Sequence, residues 1–180
     1  IYVFDGGALR AALSELAPLN DQGELYLSDV PALVRRAGKP VAALLIEDLW
    51  QTEGVNDRIQ LSRMNAEVNR RILHRWMREG VTVVDPATTW VHASVDLATD
   101  VILLPGTFLE GATSIAAGAR IGPETTLVDV EVGENAVVTR TQASLSVIGP
   151  GANVGPFAYL RPGTTLGAGG KIGTIVEAKN

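Results

Sequence analysis

The chain has 180 residues, 46% of them hydrophobic, and a formal net charge of −5, which is the composition of a globular protein and excludes a disordered tail. It has no cysteine, so a disulfide scaffold, a thiolate zinc site and a cysteine nucleophile are excluded. His74 and His92 stand alone and offer no histidine metal cluster. The negative charge argues against a coat for nucleic acid or an anionic membrane, and the longest apolar run, residues 41–46, is too short to span a bilayer.

The first part of the chain alternates apolar runs with helix-forming segments, which predicts an α/β arrangement. We expect a strand at residues 1–4, a helix at 8–16, an extended segment at 25–27, a helix capped by Ser28 and Asp29 that ends at Gly38, and a buried strand at 41–46. The chain starts inside this first predicted strand, with no methionine and no basic signal region. We therefore expect it to be a piece of a longer protein.

Residues 57–79 carry one long helical pattern that Gly80 should end. Its apolar residues recur every three or four positions, at Leu61, Met64, Val68, Ile72 and Trp76, and the helix would be about 34 Å long. Its polar face is rich in arginine: Arg58, Arg63, Arg70, Arg71, Arg75 and Arg78. A nucleic-acid contact is one interpretation, but no aromatic stacking platform accompanies the arginines. A solvated face supported by a Glu67–Arg71 pair, on a helix that connects two regions, is favoured.

The last part of the chain repeats every six residues. Aliphatic residues keep this spacing at Leu97, Leu103, Leu109, Ile115, Ile121 and Leu127, and again at Ile148, Val154, Leu160, Leu166 and Ile172. The phase slips by one residue at Val132 and Val138, and the polar stretch 139–146 interrupts it. A period of six favours a β-solenoid with one inward aliphatic residue per short strand over a β-sandwich with coincidental spacing.

This repeat resembles that of hexapeptide-repeat proteins. The resemblance implies a left-handed parallel β-helix, although the general crossover rule favours the right hand. It also implies that three hexads complete one coil, so that residues eighteen positions apart stack about 4.8 Å from each other. Such domains usually trimerise, and many are acyltransferases.

Five motifs narrow the resemblance: residues 24–29 (ELYLSD), 53–58 (EGVNDR), 83–90 (VVDPATTW), 156–164 (PFAYLRPGT) and 176–180 (VEAKN). Their order and spacing resemble the bacterial bifunctional uridyltransferase and acetyltransferase family that makes UDP-N-acetylglucosamine. The resemblance runs from residue 1 to residue 180. It implies that residues 1–58 are an α/β remnant of the nucleotidyltransferase domain, 59–79 a linking helix, and 80–180 the N-terminal part of the acetyltransferase β-helix.

Within this resemblance, Asn56 matches the family position that ligates Mg²⁺ and binds UDP-N-acetylglucosamine. An amide oxygen is a suitable ligand for a hard cation. Without the motif, a cap for the helix that follows would be the favoured interpretation of Asn56, and the motif reverses that preference. The family's glycine-rich nucleotide loop, its lysine and its metal-sharing aspartate belong upstream of residue 1, so only a fragment of this site is expected here.

Arg161 and Lys179 match the family's basic residues for the phosphate of glucosamine 1-phosphate. They are eighteen residues apart, so they should stack on one face, where two cations about 5 Å apart repel by about 3 kcal/mol at an effective dielectric of 20. A bound phosphate would turn this repulsion into attraction. The alternative is two solvated surface cations. The family's histidine base, tyrosine and asparagines belong beyond Asn180, so no catalytic residue is expected within the chain.

The resemblance therefore implies a cytoplasmic homotrimeric enzyme that uses UTP, glucosamine 1-phosphate, acetyl-CoA and Mg²⁺ and has no nucleic-acid or membrane partner. This chain would hold neither complete active site. Two alternatives stay open: a non-catalytic trimeric scaffold, and a sugar nucleotidyltransferase relative whose β-helix is only regulatory. The pair of Arg161 and Lys179 counts against the regulatory alternative.

Overall fold

The structure, a computed structural model, describes residues 1–18 and 21–178, and the chain forms two compact units, Ile1–Gly54 and Val55–Asn180. The first unit contains helix α1, Gly6–Leu13, and helix α2, Val30–Arg36, with 3₁₀ turns at Leu27–Asp29 and Leu49–Gln51. Helix α1 begins at Asp5, whose carboxylate accepts a hydrogen bond of 2.8 Å from the Ala8 amide. A small core of Ala8, Ala12, Val30 and Val34 holds the two helices together.

The predicted strands of the first unit are wrong. Residues 1–4 and 41–46 form no strand, and Ile1 and Leu45 are 96% and 87% exposed. An apolar segment becomes a strand only where another backbone completes its hydrogen bonds, and none does so among the described residues of this unit. Of the predicted extended segment 25–27, Leu27 is the first residue of a 3₁₀ turn, and the Asp29 side chain makes no capping bond to α2. Helix α2 does end near Gly38, which adopts a φ of 74°.

The second unit contains a parallel β-solenoid, as the hexad pattern predicts. Its strands are β1 Thr82–Val83, β2 Trp90–Val91, β3 Asp96–Leu97, β4 Ile102–Leu103, β5 Thr107–Glu110, β6 Ser114–Ile115, β7 Arg120–Ile121, β8 Thr125–Val132, β9 Val137–Val138, β10 Thr141–Ile148, β11 Asn153–Val154, β12 Ala158–Leu160, β13 Thr165–Leu166, β14 Lys171–Ile172 and β15 Val176–Ala178. One ladder runs β1-β4-β7-β9-β11-β14 and another runs β2-β5-β8-β10-β12-β15. Along a third face, β3 pairs with β6, β6 pairs with the later half of β8, and β13 pairs with the later half of β10.

The inward aliphatic residues of this repeat stack directly and form the core. Leu103 is in register with Ile121, eighteen residues on, and both are completely buried. The six-residue spacing is interrupted at the polar stretch 139–146, as predicted, but the coil continues through it. From Thr141 onwards the stretch lies in β10, where Ala143 is buried in register with Leu127 below it and Leu160 above it. The coils on either side of Ala143 are therefore shortened to sixteen and seventeen residues.

The long helix is confirmed as α3, Arg58–Arg78, and it belongs to the same compact unit as the solenoid. Asp57 caps it by accepting a hydrogen bond of 2.7 Å from the Gln60 amide, and Gly80 follows its end with a φ of 95°. Of the predicted apolar face only Trp76 is buried, and Leu61 is about half exposed. Leu73, which lay outside the predicted face, joins Trp76 in the solenoid core. No helix in the described parts of the chain has the length and apolar content needed to cross a membrane.

A buried asparagine fastens α3 to the solenoid. The Asn69 side-chain amide donates to the Thr89 carbonyl at 2.8 Å, and its oxygen accepts from the Val91 amide at 3.0 Å. Asn69 therefore takes the position that a neighbouring strand would have beside β2. The apolar periodicity of the helix gave no sign of this role.

Replacing Asn69 with alanine should destabilise the second unit by about 2 kcal/mol, because it leaves the buried Thr89 carbonyl and Val91 amide without partners. Urea denaturation followed by circular dichroism measures the loss. Asn65→Ala is the matched control, since Asn65 is an exposed asparagine one turn earlier on the same helix. Equal midpoints for the two variants would contradict this role.

Candidate functional site

Arg161 lies directly after β12, on the outer surface of the solenoid. Its backbone amide donates to the Ala178 carbonyl at 3.0 Å, so the ladder between β12 and β15 extends to this residue. Its Nη1 atom lies 3.2 Å from Glu177 Oε1, and both side chains are about half exposed. An ion pair this exposed contributes at most about 1 kcal/mol, so a doubly charged phosphate could displace the carboxylate.

Lys179, the second predicted phosphate ligand, lies outside the described residues. Its stacking above Arg161 stays a prediction. The described register ends one position earlier, where Leu160 pairs with Ala178. The contact between Arg161 and Glu177 was not predicted from the sequence. It could have been, because Glu177 directly precedes Ala178, the residue that stacks on Leu160.

Asn56 precedes α3 and is exposed. The alternative that it caps this helix is wrong, because Asp57 is the cap and the Asn56 backbone amide donates instead to Gln60 Oε1 at 2.7 Å. Within residues 1–18 and 21–178, no three His, Cys, Asp or Glu residues cluster as they would around a metal ion. One amide oxygen does not make a magnesium site, so the described residues do not fit Mg²⁺ by themselves.

The polar face of α3 is organised by one carboxylate. Glu67 accepts hydrogen bonds from Arg70 Nε at 2.7 Å and from Arg71 Nε at 2.6 Å, so the predicted Glu67–Arg71 pair is confirmed and Arg70 joins it. Hydrogen bonds from Arg70 and then from Arg71 lower the pKa of Glu67 to about 2. One carboxylate therefore engages two of the arginines, as the interpretation of this face as a solvated helix surface requires.

The stabilisation that Glu67 contributes should be lost in acid. Its folded-state pKa is depressed, so the contribution is fully present above the ordinary glutamate pKa near 4.5 and disappears as the pH falls towards 2. Wild type should therefore melt above Glu67→Gln at pH 7, and the two melting temperatures should converge near pH 2. Glu79→Gln is the control, because Glu79 has no arginine partner in the described structure. The melting-temperature difference between wild type and Glu79→Gln should therefore not depend on pH in this way. A difference between wild type and Glu67→Gln that persists unchanged at pH 2 would contradict the assignment.

Comparison with known proteins confirms the resemblance found in the sequence. No protein-family model matches the chain. Over all 180 residues it is 59% identical to the bifunctional protein GlmU of Pseudarthrobacter chlorophenolicus, and it covers 37% of that protein. It is 54% identical to the bifunctional protein GlmU of Cutibacterium acnes and covers 44% of it. The chain thus spans less than half the length of these relatives.

Among solved structures, the acetyltransferase domain of PglB from Neisseria gonorrhoeae FA1090 is similar. It matches with 21% identity and a TM-score of 0.41, over 60% of this chain and 58% of that one. A likeness this distant supports no conclusion about chemistry.

Proposed function

We propose that this chain is part of a bifunctional enzyme that makes UDP-N-acetylglucosamine. In this proposal the amine of glucosamine 1-phosphate attacks the acetyl carbonyl carbon of acetyl-CoA, the amine loses a proton, and the coenzyme A thiolate leaves. The N-acetylated sugar phosphate then attacks the α-phosphate of UTP and releases pyrophosphate. The observation that carries the proposal is the 59% identity to a bifunctional GlmU protein, which extends across both compact units.

The proposed division of labour follows the chain. Residues 1–58 would belong to the nucleotidyltransferase domain, residues 59–79 would link the domains, and residues 80–180 would begin a left-handed acetyltransferase β-helix. The separation of the compact units after Gly54, shortly before α3, supports this order. A homotrimer and a cytoplasmic location, with no nucleic-acid or membrane partner, are part of the same proposal. Half-exposed apolar side chains on the outer faces, such as Val147 and Tyr159, support association between copies.

The proposed role of Arg161 is to hold the phosphate of glucosamine 1-phosphate, together with Lys179. A guanidinium can donate two parallel hydrogen bonds to a phosphate. The hydrogen bond from the Arg161 backbone amide to the Ala178 carbonyl fixes the backbone of Arg161 on the solenoid wall. Fixing the phosphate orients the sugar and therefore its amine. The base that accepts the amine proton is not assigned to any residue of this chain.

Asn56 would contribute a single oxygen ligand to a magnesium site that other residues complete, and it would lie beside UDP-N-acetylglucosamine. Its side-chain amide supports this role, because it is exposed and makes no hydrogen bond among the described residues.

Asn56→Ala in the longer protein tests the proposal. Uridylyl transfer should fall at least about tenfold, as loss of a metal-site residue does, while acetyl transfer stays within about twofold. Asn65→Ala, at an exposed asparagine on α3, should change neither rate. Equal loss of both activities would instead indicate a folding role for Asn56.

The second candidate is a non-catalytic trimeric scaffold, which the regular solenoid core favours. Assays of acetyl transfer and uridylyl transfer in the longer protein distinguish the two candidates. The enzyme proposal requires both activities there, and absence of both would leave the scaffold.

A further inference from the structure

A groove lies within the second unit, between α3 and the first coils of the solenoid. Its volume is about 380 Å³, which is within the usual range for small-molecule sites. The helix contributes Val68 and Ile72, and the strands β2 and β5 contribute Trp90 and Phe108. It is thus an apolar groove with an aliphatic wall and an aromatic wall.

The pairing of two neighbouring strands places the aromatic residues of this wall side by side. Trp90 pairs with Phe108 in adjacent parallel strands, so the two side chains stand one strand spacing apart on the same face. They are 37% and 39% exposed, and Val68 opposite them is 46% exposed. Three large apolar side chains therefore remain partly in water around one concavity. A flat ligand inserted between the walls would remove that apolar surface from water.

The lining of the groove includes an unpaired charge. Glu110 lies two residues after Phe108 on β5, so its side chain points to the same face, and it is half-buried. No hydrogen bond or ion pair engages its carboxylate in the described part of the chain. The other titratable side chain of the groove, His92, accepts a hydrogen bond of 3.3 Å from the Gly111 amide at Nδ1. A partly desolvated carboxylate without a partner favours a cation and disfavours an anion.

We propose that this groove binds a small planar aromatic cation, with its ring between the aromatic and aliphatic walls and its charged nitrogen at Glu110. The site goes beyond the proposed enzymatic function. It lies on β2 and β5, whereas Arg161 follows β12, three steps further along the same ladder. If the groove does not bind such a cation, the proposed enzymatic function is therefore unaffected.

The test uses benzamidine as the probe and the 180-residue chain at pH 8, with binding measured by isothermal titration calorimetry. Benzamidine should bind saturably, and its uncharged analogue benzamide should bind about tenfold more weakly or less. Glu110→Gln should weaken benzamidine binding by a similar factor, because it keeps the volume and removes the charge. Glu131→Gln is the matched control, since Glu131 is an exposed glutamate on the neighbouring strand β8 and should not change the affinity.

Three outcomes would overturn the proposal. The first is no saturation up to the solubility limit of benzamidine. The second is equal binding of benzoate, which carries the opposite charge on the same ring. The third is unchanged affinity in Glu110→Gln with a wild-type circular dichroism spectrum. If binding is absent and Phe108→Ala alters the sedimentation coefficient, the groove is instead a contact between copies of the chain.

Discussion

Arg161→Ala should lower kcat/KM for glucosamine 1-phosphate by about ten- to a hundredfold in the longer enzyme. The interaction lost would be the proposed charge-assisted hydrogen bond to phosphate, which corresponds to roughly that factor in affinity. The structure places the effect towards the upper end, because the Glu177 carboxylate, now 3.2 Å from Arg161, would remain beside the phosphate without its cation. The measurement is acetyl-transfer kinetics with saturating acetyl-CoA and varied amino sugar.

Two matched variants make this result specific. Arg161→Lys should restore little, because an ammonium cannot reproduce the planar pair of donors. Arg120→Ala should stay within about twofold of wild type, since Arg120 is an exposed arginine on β7, in the other ladder.

Combining Arg161→Ala with Lys179→Ala should lower kcat/KM by less than the sum of the single effects in free energy, because removing one cation also relieves repulsion on the other. A kcat/KM for Arg161→Ala within twofold of wild type would reduce Arg161 to a surface charge.

The solenoid could be predicted from sequence because its signal is periodic and local. Each short strand of the solenoid must place one aliphatic residue in the core, so the regular spacing of these residues can be read from the sequence. Ala143 escaped the count because it is small, and the shortened coils beside it hid the register. A second buried column also escaped: Thr89, Thr107, Thr125 and Thr141, whose hydroxyls each donate to a nearby backbone carbonyl. A polar residue in a core is predictable only once its hydrogen-bond partner is known.

The remaining differences come from long-range pairing. The sequence shows which segments can form strands, but residues 41–46 find no neighbouring backbone in the described part of the first unit, and Leu44 and Leu45 are exposed. Asn69 binds residues twenty positions away, which no helical periodicity can reveal. At the candidate site, the motif located Arg161 on an outer face, whereas its contact with Glu177 depends on the register of two adjacent coils.

One of the glycines that follow the inward aliphatic residues, Gly149, is required for the close approach of two coils. Neither Gly149 nor Gly167 has a positive φ. A Cβ atom at Gly149 would lie 2.7 Å from the Ala168 nitrogen and 2.8 Å from the Leu166 carbonyl oxygen. The Gly149 amide donates to that same carbonyl at 2.7 Å, so the backbone cannot yield without breaking the ladder between β10 and β13.

Gly149→Ala should therefore destabilise the solenoid by about 3 kcal/mol, the upper part of the range for overpacking, because the opposing atoms are backbone and cannot rotate away. Gly167→Ala is a control eighteen residues further on, where a Cβ would meet nothing within 4 Å. That variant should be neutral or up to about 1 kcal/mol more stable than wild type, since alanine restricts the unfolded chain. Urea denaturation of both variants of the 180-residue chain, followed by circular dichroism, measures the difference. Similar midpoints for the two alanine variants would show that the coils at Gly149 are not packed as closely as the β10–β13 register requires.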